Sequence, residues 1–298
     1  MRALVISGGG SKGAFAGGVA EYLINVAKRD YDIFVACSTG SLLIPHLSIG
    51  EVSKIKSVFT NVSQKDIFNI SPFHIKRLPN GEFKTKVNHW NSIRMFLRRK
   101  KTFGEHKNLR KVISKMFSEA DYEKIRGSNK KVVVTVSNLT TSRVVYKHLN
   151  DFEYEDFCDW MWASTSFVPF MSLVEKNGYE YADGGFGNYV PIEEAVNLGA
   201  TEVDVVILKP RQINHAFRKT TNAFDLFLKT MEFSLDQLSY QDILIGHLES
   251  IYNNRVKAKF FFTPRLLTQH SFIFDPTQMK QWWQEGYDYA KQRLESEG

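Results

Sequence analysis

Short apolar runs that lead into small or polar turns, each followed by a stretch with helical periodicity, recur from one end of the sequence to the other. Strands are expected at residues 3–7, 31–37, 131–136, 202–208 and 258–262. Helices are expected at 14–28, 92–117, 191–198, 222–238 and 277–294. This alternation predicts an α/β architecture, a mostly parallel central sheet with helices on both faces. No repeat, low-complexity tract or Pro/Ser linker divides the 298 residues, which read as one domain with a basic helical insertion at about 60–125.

In such folds ligands bind at the carboxyl ends of the strands. The first strand runs into SGGGSKGAFAGG, in which Gly8, Gly10 and Gly13 spell the letters of a dinucleotide fingerprint. That fingerprint needs an acidic residue at the far end of the second strand to hold a ribose. Asp30 and Asp32 instead precede Ile33, Phe34 and Val35, at the wrong end. The GGGSKGA sequence also lacks the spacing of a phosphate loop.

The second strand ends in Cys37, Ser38, Thr39 and Gly40, followed by SLLIPHL, a helix start. A serine at a tight strand-to-helix turn, with glycine two residues on, has the form of a nucleophile elbow. The turn pushes the hydroxyl out of the backbone, and small neighbours keep the approach open. Ala36 stands where that motif has its first glycine, which is tolerable if φ there stays negative. A plain Ser/Thr/Gly helix start without chemistry is the competing reading. A third strand end is Tyr181, Ala182, Asp183, Gly184, Gly185, which taken alone marks a turn.

Four pieces in order, GGGSKG (8–13), ACSTG (36–40), ASTSFVPF (163–170) and DGG (183–185), resemble the patatin-like phospholipases. The stretch GNYVPIEEAVNLGA and the later FDP at 274–276 are also similar to that family, and residues 60–125 match it poorly. The resemblance implies a three-layer α/β/α fold and a Ser/Asp dyad, with Ser38 as nucleophile and Asp183 as base. It implies an oxyanion hole within Gly8, Gly9, Gly10, Ser11, Lys12 and Gly13. Gly9, Gly10 and Ser11 are the leading donors, and the Thr39 amide is a lesser one. Lys12 stands where the family often carries arginine, either holding the loop or sensing negative charge, or simply solvated. The implied reaction is hydrolysis of phospholipid or lysophospholipid esters through an acyl-enzyme, without cofactor.

Two alternatives stay open. A Ser/His/Asp esterase would recruit His215, His247 or His270, none of which lies in a glycine-rich or strand-end setting. A catalytically silent lipid-binding or regulatory module would use the same scaffold. Eight histidines and two cysteines show no paired metal-ligand spacing, so no metal is expected.

Charge separates one segment from the rest. Residues 84–115 hold 11 Lys or Arg against the single acid Glu105, leaving 28 basic and 31 acidic residues elsewhere. Within it, WNSIRMFLRRKKTF is expected to form an amphipathic helix with Trp90, Ile93, Phe96 and Leu97 on one side. It reads either as a peripheral contact for anionic lipid or as a solvated helical insertion; no stacking motif points to nucleic acid. Cys37 and Cys158 are too few for a disulfide framework, and the N-terminus lacks a secretory pattern. A cytoplasmic setting is expected, peripheral at the inner membrane surface if the basic segment binds lipid.

Overall fold

The computed structural model describes residues 1–77, 83–211, 220, 223–252, 256–268 and 270–296. The chain starts with β1 (Arg2–Ile6), α1 (Gly13–Glu21), β2 (Ile33–Cys37), α2 (Thr39–Ser48), α3 (Val52–Phe59) and α4 (Gln64–Ile67). The hairpin β3 (Phe73–Arg77) and β4 (Phe83–Val87) leads to α5 (His89–Leu97), α6 (Lys107–Met116) and α7 (Glu119–Arg126). Next come β5 (Lys131–Asn138), β6 (Arg143–His148), α8 (Tyr154–Ser164), β7 (Val174–Lys176), β8 (Tyr179–Asp183) and α9 (Ile192–Asn197). The chain continues through β9 (Glu202–Pro210), α10 (Ala223–Tyr252), β10 (Lys257–Thr263) and α11 (Pro276–Glu295).

The main sheet has the order β10-β9-β1-β2-β5-β8-β7, with β6 also on β5. The strands β10, β9, β1, β2 and β5 are parallel to one another, and β6, β7 and β8 join antiparallel. The five parallel strands are the five expected from their apolar runs. Sheet residues alternate between two buried layers: Leu4, Ile6, Phe34 and Ala36 face one, while Ala3, Val5, Ile33 and Val35 face the other. Continuous apolar runs are what a strand covered on both faces requires.

From β1 the chain builds outward through β2 and β5, then returns to place β9 and β10 on the other side of β1. The carboxyl ends of β1 and β9 therefore border a topological switch point, where a crevice opens. The glycines of α1 serve packing. A Cβ on Gly18 would lie 1.9 Å from the Trp283 carbonyl oxygen of α11, so the two helices touch backbone to backbone.

The structure corrects the single helix expected at 92–117. It is split into α5 and α6, with Arg99 at φ 53° and an irregular link between them. Continued helix would set Arg98 against Arg94 at i,i+4 and against Lys101 at i,i+3, like-charge pairs that disfavour it. Gly104 fits against the Ile70 and Phe170 carbonyls, where any side chain would collide. Leu109, Ile113 and Met116 of α6 enter the main core, whereas α5 buries only Met95. The helix expected at 222–238 is longer than the sequence indicated, running to Tyr252 as α10. The expected 14–28 helix ends as α1 followed by a π-type turn at Tyr22–Val26.

Candidate active site

Ser38 follows β2 with φ 52° and ψ −125°, a left-handed conformation unusual for a non-glycine residue. Such a turn ejects the hydroxyl from the sheet while α2 starts at the next residue. Ala36 sits within β2 at negative φ, so its methyl group costs the elbow nothing there. Gly40 matches it, since a Cβ there would lie 3.0 Å from that of Ala36. Cys37 is a buried free thiol whose Sγ lies 3.8 Å from Asp183 Oδ1.

Ser38 Oγ donates to Asp183 Oδ2 at 2.6 Å. Register explains the meeting. Cys37 pairs with Thr135 of β5, and Asp183 pairs with the next residue, Val136. Since β6 occupies the opposite edge of β5, β8 runs head-on toward β2 along the same edge. The two strand ends thus abut on adjacent residues of β5. Asp183 Oδ1 accepts from the Gly185 amide at 2.8 Å, and the Asp183 amide donates to the Ser166 carbonyl at 2.9 Å. Gly184 lies against the Thr135 carbonyl, where a side chain would not fit. Burial pushes the Asp183 carboxyl up to about 6, with the Ser38 and Gly185 hydrogen bonds opposing part of that rise.

The glycine loop divides by its hydrogen bonds. The Gly8 amide donates to the Tyr189 carbonyl at 3.2 Å, and the Ser11 amide to the Ser271 carbonyl at 2.9 Å. Among the described residues the Gly9 and Gly10 amides have no protein acceptor, and neither does that of Thr39. Gly10 adopts φ +59°, and a Cβ there would lie 2.2 Å from the Ser271 oxygen, so the loop tolerates no side chain at that point. Gly13 opens α1 against Thr39, which brings the positive ends of α1 and α2 together. Ser11, a leading donor in the sequence reading, has its amide engaged and is thereby removed from the set of free donors.

Two residues of the site were not singled out in the sequence. Ser164 Oγ accepts from the Ser38 amide at 3.0 Å, donates to the Thr135 carbonyl at 2.7 Å and meets Ser41 Oγ at 2.8 Å. This fully buried chain ties the elbow to β5. The signal was present in ASTSFVPF, but nothing in that string says which serine turns inward. Asp242 of α10 accepts from the Tyr189 and Val190 amides at 2.7 and 2.9 Å, fixing the segment that covers the glycine loop.

Among the described residues no histidine stands between Ser38 and Asp183, which bond directly. His270 borders the cavity onto which Ser38 opens, with Nδ1 3.3 Å from Thr85 Oγ1. His215 lies outside the described residues, as does the side chain of His247. His106 is buried, stacked on Trp162 with Nδ1 accepting from the Ser172 amide, and burial lowers it to about 3. Asp32 accepts from the Arg2 amide at the opposite end of the sheet, away from the cavity. Among the described residues no cluster of His, Cys, Asp and Glu side chains has the arrangement of a metal site.

Ser38, Asp183 and the glycine loop open onto one cavity of about 1410 Å³. Leu42, Phe59, Ile67 and Met116 form apolar wall on one side, and Leu228, Met231 and Leu235 of α10 contribute more. The β3–β4 hairpin adds Ile75 and Val87, so the poorly matching segment helps to build the cavity. Lys12, left open between a loop role and simple solvation, is buried and borders this cavity. Among the described residues no helix is long and apolar enough to cross a membrane.

The family model for patatin-like phospholipases matches residues 4–196, well over half of the chain. A search of curated proteins finds no significant match. Among solved structures, VipD from Legionella pneumophila superposes with a TM-score of 0.55 at 15% identity, covering 99% of this chain and 67% of that one. At that identity the likeness speaks for the fold. The chain belongs to the patatin-like phospholipase family, a family of lipid acyl hydrolases.

Proposed function

We propose that the protein hydrolyses carboxylic esters of phospholipids or lysophospholipids through a Ser38/Asp183 dyad. The observation that carries this is the 2.6 Å hydrogen bond from Ser38 Oγ to a buried carboxylate on the wall of a large apolar cavity. Ser38 Oγ attacks the ester carbonyl and its proton passes to Asp183 Oδ2. The developing oxyanion takes the unpaired amides of Gly9 and Gly10, with Thr39 as a third donor, near the positive ends of α1 and α2. Asp183 then protonates the leaving alkoxide, and water attacks the acyl-enzyme as Asp183 accepts its proton. The carboxyl's raised pKa makes it a stronger base than a solvated aspartate while leaving it ionised at neutral pH.

Membrane access is part of this reading. Trp90, Phe96 and Leu97 on α5 are 82%, 80% and 75% exposed, beside Arg94, Arg98 and Arg99, which form no ion pair with described residues. His89, the first residue of α5, borders the cavity. An exposed apolar face flanked by these cations, on a helix whose first residue borders the cavity, fits insertion into an anionic bilayer. The rest of the basic segment is partly spent: Lys101 bonds Glu175 and Glu180, and Arg110 bonds Glu155 and Asp159.

Labelling with a fluorophosphonate probe tests the chemistry. Wild type is expected to label and Ser38→Ala to remain unlabelled; equal labelling of the two rejects Ser38 as nucleophile, and none in either favours a silent module.

A further inference from the structure

Lys12 and Lys209 are an unusual pair to find beside an apolar cavity. Lys12 follows the Gly8–Gly10 loop, is only 7% exposed and borders the cavity together with Ser38. Its ammonium makes no hydrogen bond or ion pair with a described residue. Lys209, at the end of β9, borders the same cavity. It donates to the Leu235 carbonyl at 3.1 Å and to Asp236 Oδ1 at 2.6 Å, and lies 4.3 Å over the Tyr189 ring. An ammonium has three donors, so Lys209 keeps one beyond these two bonds to described residues.

Lys12 feels the charge of Lys209. Burial lowers Lys12 to about 8, and the charge of Lys209 adds to the effect, while Asp236 and Glu232 of α10 oppose it from a distance. Asp236 already serves Lys209, so among the described residues Lys12 has no neutralising partner in contact. A buried unpaired ammonium is costly, and it grows costlier when a lipid displaces water from the cavity. An anionic group on the substrate removes that cost. A neutral glyceride cannot.

We propose that Lys12 and Lys209 form a subsite for the phosphate of a lipid ester, so that the enzyme selects phosphate-bearing esters over neutral glycerides. The inference rests on the hydrolase reading above and extends it to the substrate's head. In a glycerophospholipid only a few covalent bonds separate the ester from the phosphate. A cation pair bordering the cavity that holds the nucleophile suits that spacing. Two ammonium groups meet phosphate oxygens as point charges with charge-assisted hydrogen bonds. A site built for a charged group discriminates strongly against an analogue that lacks it, because its own polar atoms are then left unpaired.

The test compares phosphatidylcholine with diacylglycerol of the same chains in micelles of an uncharged detergent, where both surfaces are neutral overall. Wild type is expected to favour phosphatidylcholine by about 30-fold or more in kcat/KM. Lys12→Met and Lys209→Met are each expected to reduce that ratio about tenfold, mainly through KM, with Lys12→Arg retaining most of it. A wild-type ratio near one, or a ratio unmoved in both Met variants, overturns the proposal.

Inorganic phosphate distinguishes the source of the anion. If it inhibits hydrolysis of a soluble short-chain ester while the lipid ratio stays near one, the pair is a free-anion site and the lipid proposal is wrong. Binding of a fluorescent short-chain phosphatidylcholine, weakened about tenfold by Lys209→Met, supports the subsite even if no ester is turned over. That last result would remove the hydrolase reading alone. Unweakened binding removes the subsite.

Discussion

Ser38 Oγ and Asp183 Oδ2 meet at 2.6 Å across 145 positions of sequence because the strands that carry them end on neighbouring residues of β5. The geometry of the proposed dyad is thus held by backbone pairing in the middle of the sheet. Side-chain flexibility contributes little, since Asp183 is also fixed through Oδ1 by the Gly185 amide.

In the proposed mechanism the pH dependence of turnover follows from Asp183. Its carboxyl titrates near 6, and only the ionised form can accept the Ser38 proton. With a soluble ester, kcat/KM is expected to hold steady above that pH and to fall about tenfold per unit below it. A rate that stays level well into the acid range would remove Asp183 as the base.

The same residue weighs on stability. A folded-state pKa raised from 3.8 to about 6 means that the native state binds the proton more tightly than the unfolded chain. Stability from this group is complete below pH 3.8 and is lost as pH rises through 6, a cost on the order of 3 kcal/mol at neutral pH. Asp183→Asn should therefore raise the midpoint of thermal unfolding at pH 8, raise it less at pH 5, and abolish turnover at both. A uniform loss of stability across pH would contradict this account.

Ser164 positions the elbow. Ser164→Ala leaves the Ser38 amide without its acceptor and is expected to cost about 1–3 kcal/mol of stability. Because the amide belongs to the proposed nucleophile itself, kcat should fall about tenfold while KM changes little. Denaturant unfolding and steady-state kinetics on the same preparation separate the two effects; unchanged kcat would make Ser164 purely structural.

The proposed docking through α5 is tested with vesicles. Wild type is expected to sediment with vesicles containing anionic phospholipid, with a blue-shifted tryptophan emission, and much less with neutral ones or at high salt. Replacing Trp90, Phe96 and Leu97 together by alanine should remove most vesicle binding while hydrolysis of a soluble ester persists. Replacing Arg94, Arg98 and Arg99 should weaken binding to anionic vesicles, each basic residue being worth up to about 1 kcal/mol at the surface. Equal binding to both vesicle types would sink the electrostatic part of the argument.

Parts of this protein were legible before any coordinates. Of the five parallel strands, β1, β2 and β5 announce themselves as the runs ALVI, IFVAC and KVVVTV because both faces of each are covered, so burial leaves no polar alternation to confuse the reading. The strands β6 and β7 and the β3–β4 hairpin were missed. RVVYKH, VEK and FHIKR mix polar and apolar residues as partly exposed strands do, and their identity depends on the neighbour they pair with.

The candidate site divides in the same way. Sequence alone marked Ser38 and Asp183 by their place at strand ends, and marked the glycine loop because only glycine fits the backbone that Gly10 adopts. Which amides of that loop stay unpaired was decided by distant carbonyls, Tyr189 for Gly8 and Ser271 for Ser11. The inward turn of Ser164 and the burial of Lys12 likewise depend on segments far away in the chain. Local chemistry fixes what a residue can do; hydrogen-bond partners and burial, both products of long-range packing, decide what remains free to do it.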